Sequence, residues 1–281
     1  MGQRHTCTPF MSKRIAFIGG GNMASAIIGG LIKQGLPPEQ IDVVEPFAEA
    51  RNKLQASFGI DAHAQAGAFL ADAALVVWAV KPQTFKEAAL AAAPHTMGAL
   101  HLSVAAGIRS DSIAAWLGVE RIVRAMPNTP ALIGQGIAGL FARDGVSAND
   151  KAFVEEVMAT TGQSLWLEAE DQLDVVTALS GSGPAYVFYF MEAMTMAGTE
   201  MGLSREQAHQ LSVATFAGAS ALAQASAESP QVLRQRVTSK GGTTFAAISS
   251  MEDNDVRALF IDAMYAARER AKELGDEFGT A

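Results

Sequence analysis

The sequence predicts a doubly wound, mostly parallel α/β domain over residues 13–168, followed by an all-helical domain over residues 169–281. Three observations carry this reading. In the first part, short apolar runs alternate with segments of helical spacing, the pattern of strands joined by crossover helices. The first run ends in Gly19-Gly20-Gly21, directly before a helical pattern. After Glu168 strand-like runs cease and only helical periodicity remains. Residues 1–12 are polar and read as an extension or disordered tail, with Met11 a candidate natural start.

The elements follow in order. Residues 14–18 form a short apolar run that reads as a buried strand. The next helix spans 22–34 and is stopped by Gly35 and the Pro37-Pro38 pair. A strand at 41–45 and a helix at 47–58, closed by Gly59, come next. The strand at 75–79 is apolar throughout, as expected where both faces of a parallel sheet are covered. A helix from about 83, a strand at 100–104, a helix at 110–117 and strands at 121–126 and 136–141 continue the series. Ser147 with Asp150 three residues later has the spacing of a capping box, and 164–167 closes the sheet.

In the second domain a helix at 171–179 is interrupted by Ser180-Gly181-Ser182-Gly183-Pro184. An apolar helix then runs over 184–202. Ser204 and Gln207 form a second capping box and open a helix to about 227. Ser229-Pro230 is an N-cap followed by proline at the first helical position. Helices at 244–251 and 253–274 finish the chain. Tyr186, Val187, Phe188, Tyr189, Phe190, Met191, Met194 and Met196 place apolar residues on several faces of their helix, so it must be covered on most sides. About 110 residues give little cover, which points to packing against a second copy, with a compact monomeric bundle as the alternative.

Bulk properties narrow the function. A net charge of −8 is unsuited to general nucleic-acid binding, which requires basic surface. The apolar run at 73–80 is far short of the ~20 residues of a membrane span. The only cysteine is Cys7, so no internal disulfide forms and a reducing, cytoplasmic setting is expected. No metal-ligand spacing, Ser–His–Asp set or carboxylate pair stands out, and His63, His95, His101 and His209 are scattered. A site poor in acid–base groups suits chemistry carried by a cofactor.

The first constellation is the glycine turn. Gly19, Gly21 and Ala24 match G-x-G-x-x-[GA] between a strand and a helix in a βαβ unit, the Rossmann dinucleotide context. The helix start at Asn22 and Met23 offers N–H groups and a partial positive charge to phosphates. Glu45 ends the next strand, 26 positions after Gly19. It is a candidate for a ribose 2′-hydroxyl, which favours NAD over NADP, or a solvated strand end. Arg51 is the candidate partner of a 2′-phosphate. Ala79-Val80-Lys81-Pro82 ends another parallel strand, on the rim where ligands bind, with Lys81 as a cation. Met126-Pro127-Asn128-Thr129-Pro130 lies on the same rim, either beside the ligands, with Asn128 a candidate cofactor contact, or as a rigid turn.

The second constellation is Thr238-Ser239-Lys240-Gly241-Gly242-Thr243-Thr244 between two helices. Paired glycines let successive N–H groups curl into an anion nest, and the following helix adds its dipole. Arg234, Arg236 and Lys240 make the neighbourhood locally basic. A carboxylate site or a plain interhelical loop fits this composition.

Taken together the chain closely resembles the pyrroline-5-carboxylate reductase family, from Arg14 to about Leu274. The resemblance rests on Phe17-Ile18-Gly19 with Gly21-Asn22-Met23, Val80-Lys81-Pro82, Met126-Pro127-Asn128-Thr129-Pro130, the run from Ser180 to Tyr186, and the run from Val237 to Thr244. It implies a Rossmann domain, a helical dimerisation domain with interleaved helices, and decamers of such dimers in some members. The implied reaction reduces the cyclic imine L-1-pyrroline-5-carboxylate to L-proline with NADPH, or with NADH as the other donor. It further implies that Ser239, Gly241, Gly242 and Thr243 hold the substrate carboxylate and that Thr244 stands near the ring nitrogen. Asn22, Met23, Ala79, Val80, Lys81 and Pro82 would contact the cofactor. Two positions depart from the family pattern: Lys240 stands where many members have proline or asparagine, and Glu45 where many have small or polar residues.

Two other readings share parts of this pattern. Hydroxy-acid dehydrogenases of similar architecture normally place a lysine base in the helical domain, but here the only lysine between Lys151 and Lys272 is Lys240, in a loop. A non-catalytic NAD(P)H sensor would bind nucleotide without turnover.

Overall fold

The computed structural model describes residues 13–279. The expected tail, with Cys7 and Met11, lies outside these residues. The described chain divides into two compact units, one comprising the residues up to Gly181 together with those from Ala267 on, the other Ser182–Ala266.

The first unit is a seven-stranded sheet in the order β2-β1-β3-β4-β5-β6-β7. The strands are β1 (Ile15–Ile18), β2 (Ile41–Val44), β3 (Leu75–Trp78), β4 (Leu100–Ser103), β5 (Ile122–Met126), β6 (Gly136–Ala142) and β7 (Gly162–Trp166). Its helices are α1 (Asn22–Lys33), α2 (Ala48–Phe58), α3 (Pro82–Thr96), α4 (Ser110–Leu117), α5 (Ala148–Met158) and α6 (Gln172–Val176). Side chains alternate across β1 and β3 as the pleat requires. Ile15, Phe17, Leu75 and Val77 enter one apolar cluster with α1 and α5. Ala16, Ile18, Val76 and Trp78 enter another with α3 and α4. Covering both faces excludes water, which is why these runs carry no polar residue.

One pairing breaks the parallel order: β5 and β6 are antiparallel. Only residues 127–135 join them, and a parallel crossover needs a dozen or more residues. A short 3-10 turn, Thr129–Ile133, reverses the chain there. β7 then returns parallel to β6 through α5. Both capping boxes form: Ser147 with Asp150 starts α5, and Ser204 with Gln207 starts the helix α8 of the second unit.

Trp78 and His101 meet inside the second cluster. Trp78 Nε1 donates to His101 Nδ1 at 3.1 Å. His101 Nε2 lies 3.2 Å from the Thr96 carbonyl oxygen, to which it donates in this tautomer. Burial pushes the imidazole pKa down to about 4, so the neutral ring is the form that packs.

The second unit contains α7 (Gly183–Glu200), α8 (Arg205–Ala225), α9 (Pro230–Arg236), α10 (Thr243–Asp253) and the first part of α11 (Val256–Gly279). α7 packs along α8, with Gly198 against Ala208. Tyr186, Phe190 and Phe260 form edge-on ring contacts. Only Gly198, Ala208 and Ser212 are buried in this unit. Phe188, Tyr189, Met196, Leu211, Leu222 and Leu259 are each more than half exposed.

One expectation changes. Residues 180–184 do not form a loop: a π-helical turn, Thr177–Gly181, leads almost directly into α7. Thr177 Oγ1 and Ser180 Oγ donate to the carbonyls four residues back, the back-bonding that bends helices without breaking them. The compact sheet unit extends past residue 168 to take in α6 and the end of α11. α6 packs on β5 and β6. The end of α11 returns to the sheet unit through the Arg109–Asp276 ion pair and a bond from Ser112 Oγ to the Gly279 carbonyl.

Candidate active site in two parts

The glycine turn, the candidate nucleotide-binding half, lies beyond the carboxyl ends of β1 and β3. β1 pairs with β2 on one side and β3 on the other, so the strand order reverses there, which is where doubly wound sheets bind ligands. Gly19 adopts φ +96°, open to glycine and strained for other residues. A Cβ there would sit 2.5 Å from the Ala79 carbonyl oxygen and 3.1 Å from Val80 Cγ1, so Gly19, Ala79 and Val80 are packed together. Gly21 is different: nothing lies within 4 Å of where its Cβ would be. It is the N-cap of α1, no side chain caps that helix, and its first turn holds no acid. Asn22 is exposed and Met23 half-buried at this open end. Free N–H groups, a dipole and unobstructed space fit a pyrophosphate.

Lys81 is exposed at the N-cap of α3, where its carbonyl accepts from Thr84, and Pro82 takes the first helical position. Asn128 is partly committed elsewhere. Its Oδ1 accepts from the Ile137 N–H at 3.0 Å and ties the short turn to β6.

Glu45 is neither solvated nor loose. It is 6 % exposed. Oε2 accepts from the Gly20 N–H at 2.8 Å and Oε1 from the Phe47 N–H at 2.9 Å. Arg51 Nη1 donates to the carbonyls of Glu45 and Pro46.

The second half is the loop between α9 and α10. Thr238 Oγ1 closes α9 by donating to the Arg234 carbonyl at 2.6 Å. Gly241 adopts φ +76° and the Gly242 N–H donates to the Ser239 carbonyl at 3.0 Å, so the chain curls tightly before α10. Gly242 is the N-cap of α10, without a side-chain cap or an acid in the first turn. Ser239 and Thr243 are exposed and Thr244 half-buried. The expected basic surroundings are partly neutralised: Arg236 pairs with Glu228 at 2.5 Å and Arg234 approaches Glu252 at 3.7 Å. Lys240 is exposed and has no ion-pair partner among the described residues.

Two matches to family models cover both halves. Residues 170–274 match pyrroline-5-carboxylate reductase dimerisation, and residues 14–107 match NADP oxidoreductase coenzyme F420-dependent. The pyrroline-5-carboxylate reductase of Pseudomonas aeruginosa is 48% identical over 268 residues, covering 95% of this chain and 98% of that protein. The chain belongs to the pyrroline-5-carboxylate reductase family. Among solved structures, a pyrroline-5-carboxylate reductase from Coxiella burnetii is 40% identical with a TM-score of 0.87, covering 94% of this chain and 98% of that one. The pyrroline carboxylate reductase of Plasmodium falciparum, solved with NADP bound, is 28% identical with a TM-score of 0.85, covering 94% and 99%. Membership in the reductase family makes the chain an oxidoreductase whose helical region carries a dimerisation domain. Among the described residues no helix is long and apolar enough to cross a membrane.

One cluster escaped sequence reading. Glu170 accepts from the Ser110 N–H and Oγ and from Arg124 Nη1, each at 2.6 Å. It thereby caps α4 and neutralises an arginine in β5. The partners lie 60 and 46 positions away, so no local pattern announces them. The network borders a cleft of about 560 Å3 that also holds Asp174, whose carboxyl pKa is raised by burial. The cleft is lined by charges of both signs and does not include the glycine turn.

Proposed function

We propose that this chain reduces L-1-pyrroline-5-carboxylate to L-proline, the last step of proline biosynthesis, in the cytoplasm. The observation that carries the substrate assignment is the curled Ser239–Gly242 turn opening α10 with no side-chain cap. The first N–H groups of that helix have no helical acceptor, and a carboxylate satisfies them. Ser239, Gly241, Gly242 and Thr243 form this cradle. With the Gly242 N–H turned to Ser239, Gly242 shapes the cradle while Thr243 and Thr244 present their N–H groups. The Thr244 hydroxyl orients the ring nitrogen.

When bound, a nicotinamide dinucleotide supplies the hydride. Gly19, Gly21, Asn22 and Met23 would hold its pyrophosphate, and Glu45, Ala79, Val80, Lys81, Pro82 and Asn128 would border it. NADPH is one such donor, in keeping with NADP in the Plasmodium relative. The carbon of the protonated imine would take up that hydride, with the C=N π electrons passing to nitrogen to give L-proline. The protonated imine is electrophilic without a strong enzyme acid, which fits a loop furnished with hydroxyls and N–H groups.

The chain acts as a homodimer through its C-terminal helices. A unit with three buried residues and several exposed large apolar side chains has no core of its own, and a second copy supplies the missing cover. Assembly of such dimers into decamers is the further step known in some members.

Thr244→Val tests the substrate half. The change keeps shape and removes one hydroxyl, so Tm stays constant while kcat/KM falls roughly 10- to 100-fold, the range for losing a hydrogen bond to a charged group. Unaltered kinetics would remove Thr244 from the site.

A further inference from the structure

We infer that Glu45 makes this site discriminate against a 2′-phosphate, so that the chain accepts NADPH but binds NADH more tightly. The inference rests on reading the glycine turn as the dinucleotide site and deepens that reading.

Three features of the carboxylate support it. Its position is fixed on the cradle itself: Oε2 bonds the Gly20 N–H, between the two glycines that admit a pyrophosphate. In doubly wound folds the adenosine ribose lies beside the strand that ends here. Its orientation is rigid. The Phe47 N–H holds the other oxygen, the Glu45 N–H donates to the His63 carbonyl at 2.8 Å, and Arg51 holds the Glu45 carbonyl. Swinging the carboxylate away from an incoming phosphate would strand two N–H groups. It also keeps acceptor capacity, because each oxygen has two lone-pair positions and spends one on these bonds. A ribose hydroxyl can donate to what remains, whereas a phosphate has no hydrogen to offer as a dianion and meets a like charge.

Arg51 is the residue that would reverse this preference. Its Nη1 is spent on two backbone carbonyls at the end of β2. In that position the guanidinium braces the strand end that presents Glu45.

The test measures dissociation constants for NADH and NADPH by nicotinamide fluorescence, without substrate. Wild-type protein should bind NADH at least ~10-fold more tightly, since one desolvated like-charge contact is worth that much or more. The fragments 5′-ADP and 2′,5′-ADP should follow the same order, a comparison that needs no variant. Glu45→Gln should move the NADH/NADPH ratio ~10-fold toward NADPH, chiefly by tightening NADPH, with thermal unfolding confirming that the variant is folded. Arg51→Ala removes a brace on the strand end and should not weaken NADPH selectively. Equal or tighter NADPH binding by the wild type overturns the inference, as does a folded Glu45→Gln variant with the original ratio, or a selective loss of NADPH in Arg51→Ala. Failure to bind either dinucleotide would instead refute the site itself.

Discussion

Gly19→Ala is expected to lower both stability and dinucleotide affinity, whereas Gly21→Ala lowers affinity alone. At Gly19 an added methyl faces two obstacles. The residue sits at φ +96°, where an L side chain costs about 1–2 kcal/mol. The methyl carbon would also lie 2.5 Å from the Ala79 carbonyl oxygen. Neither side yields easily: Gly19 N–H is bonded to the Val44 carbonyl and Ala79 N–H to the Ile18 carbonyl, each at 2.8 Å. Overpacking of this kind adds about 1–3 kcal/mol, so the loss should be about 3 kcal/mol and visible as a lower Tm. Displacing the turn should also weaken dinucleotide binding. Gly21 has extended backbone and open space around its missing side chain. Alanine fits there without strain in the protein but fills the approach of the pyrophosphate. A Gly21→Ala variant with native Tm and native dinucleotide affinity would show that no phosphate comes close to that backbone.

Glu170→Ala should destabilise the chain by about 3 kcal/mol, the lower end for breaking a buried ion pair by removing one partner. Arg124 is 8 % and Glu170 25 % exposed in side-chain terms. Truncation leaves Arg124 in the sheet without its carboxylate and strips the cap from α4, a loss of about 1 kcal/mol in itself. Arg143 Nη1, 3.3 Å from Ser110 Oγ, does not replace it, because it is another cation. Denaturant unfolding measures this directly. A change below about 0.5 kcal/mol, the level of ordinary surface substitutions, would mean that the network is not a structural tie. Glu170→Gln should fall between the two, since it keeps acceptor capacity and loses the charge.

Signals that act over a few residues were legible in the sequence. The apolar alternation of β1 and β3 follows from burial on both faces, and the two capping boxes from a side chain and an N–H three positions apart. The glycine turn was legible because backbone constraint there requires glycine. The missing core of the second unit was foreshadowed by the run from Tyr186 to Met196, which carries apolar residues on several faces of its helix. What depends on distant partners was not readable. Whether Glu45 was a solvated strand end or part of the cradle depended on the Gly20 N–H, 25 positions away. The role of Glu170 depended on Ser110 and Arg124. The return of α11 to the first unit depended on Arg109 and Ser112 meeting the last turns of the chain. The antiparallel β6 was foreshadowed by a connection too short for a crossover, although the alternation of strands and helices alone suggested a parallel neighbour.

Steady-state oxidation of reduced dinucleotide shows whether the glycine turn and the Ser239–Thr244 loop serve imine reduction. Purified chain is supplied with NADH or NADPH and either L-1-pyrroline-5-carboxylate or the keto acids that correspond to 2-hydroxy and 3-hydroxy acids. Oxidation should occur with the imine, produce L-proline in equal amount, and be absent with the keto acids. Turnover of a keto acid with none of the imine would contradict the account and point to a hydroxy-acid dehydrogenase; dinucleotide binding without turnover of either would point to a sensor.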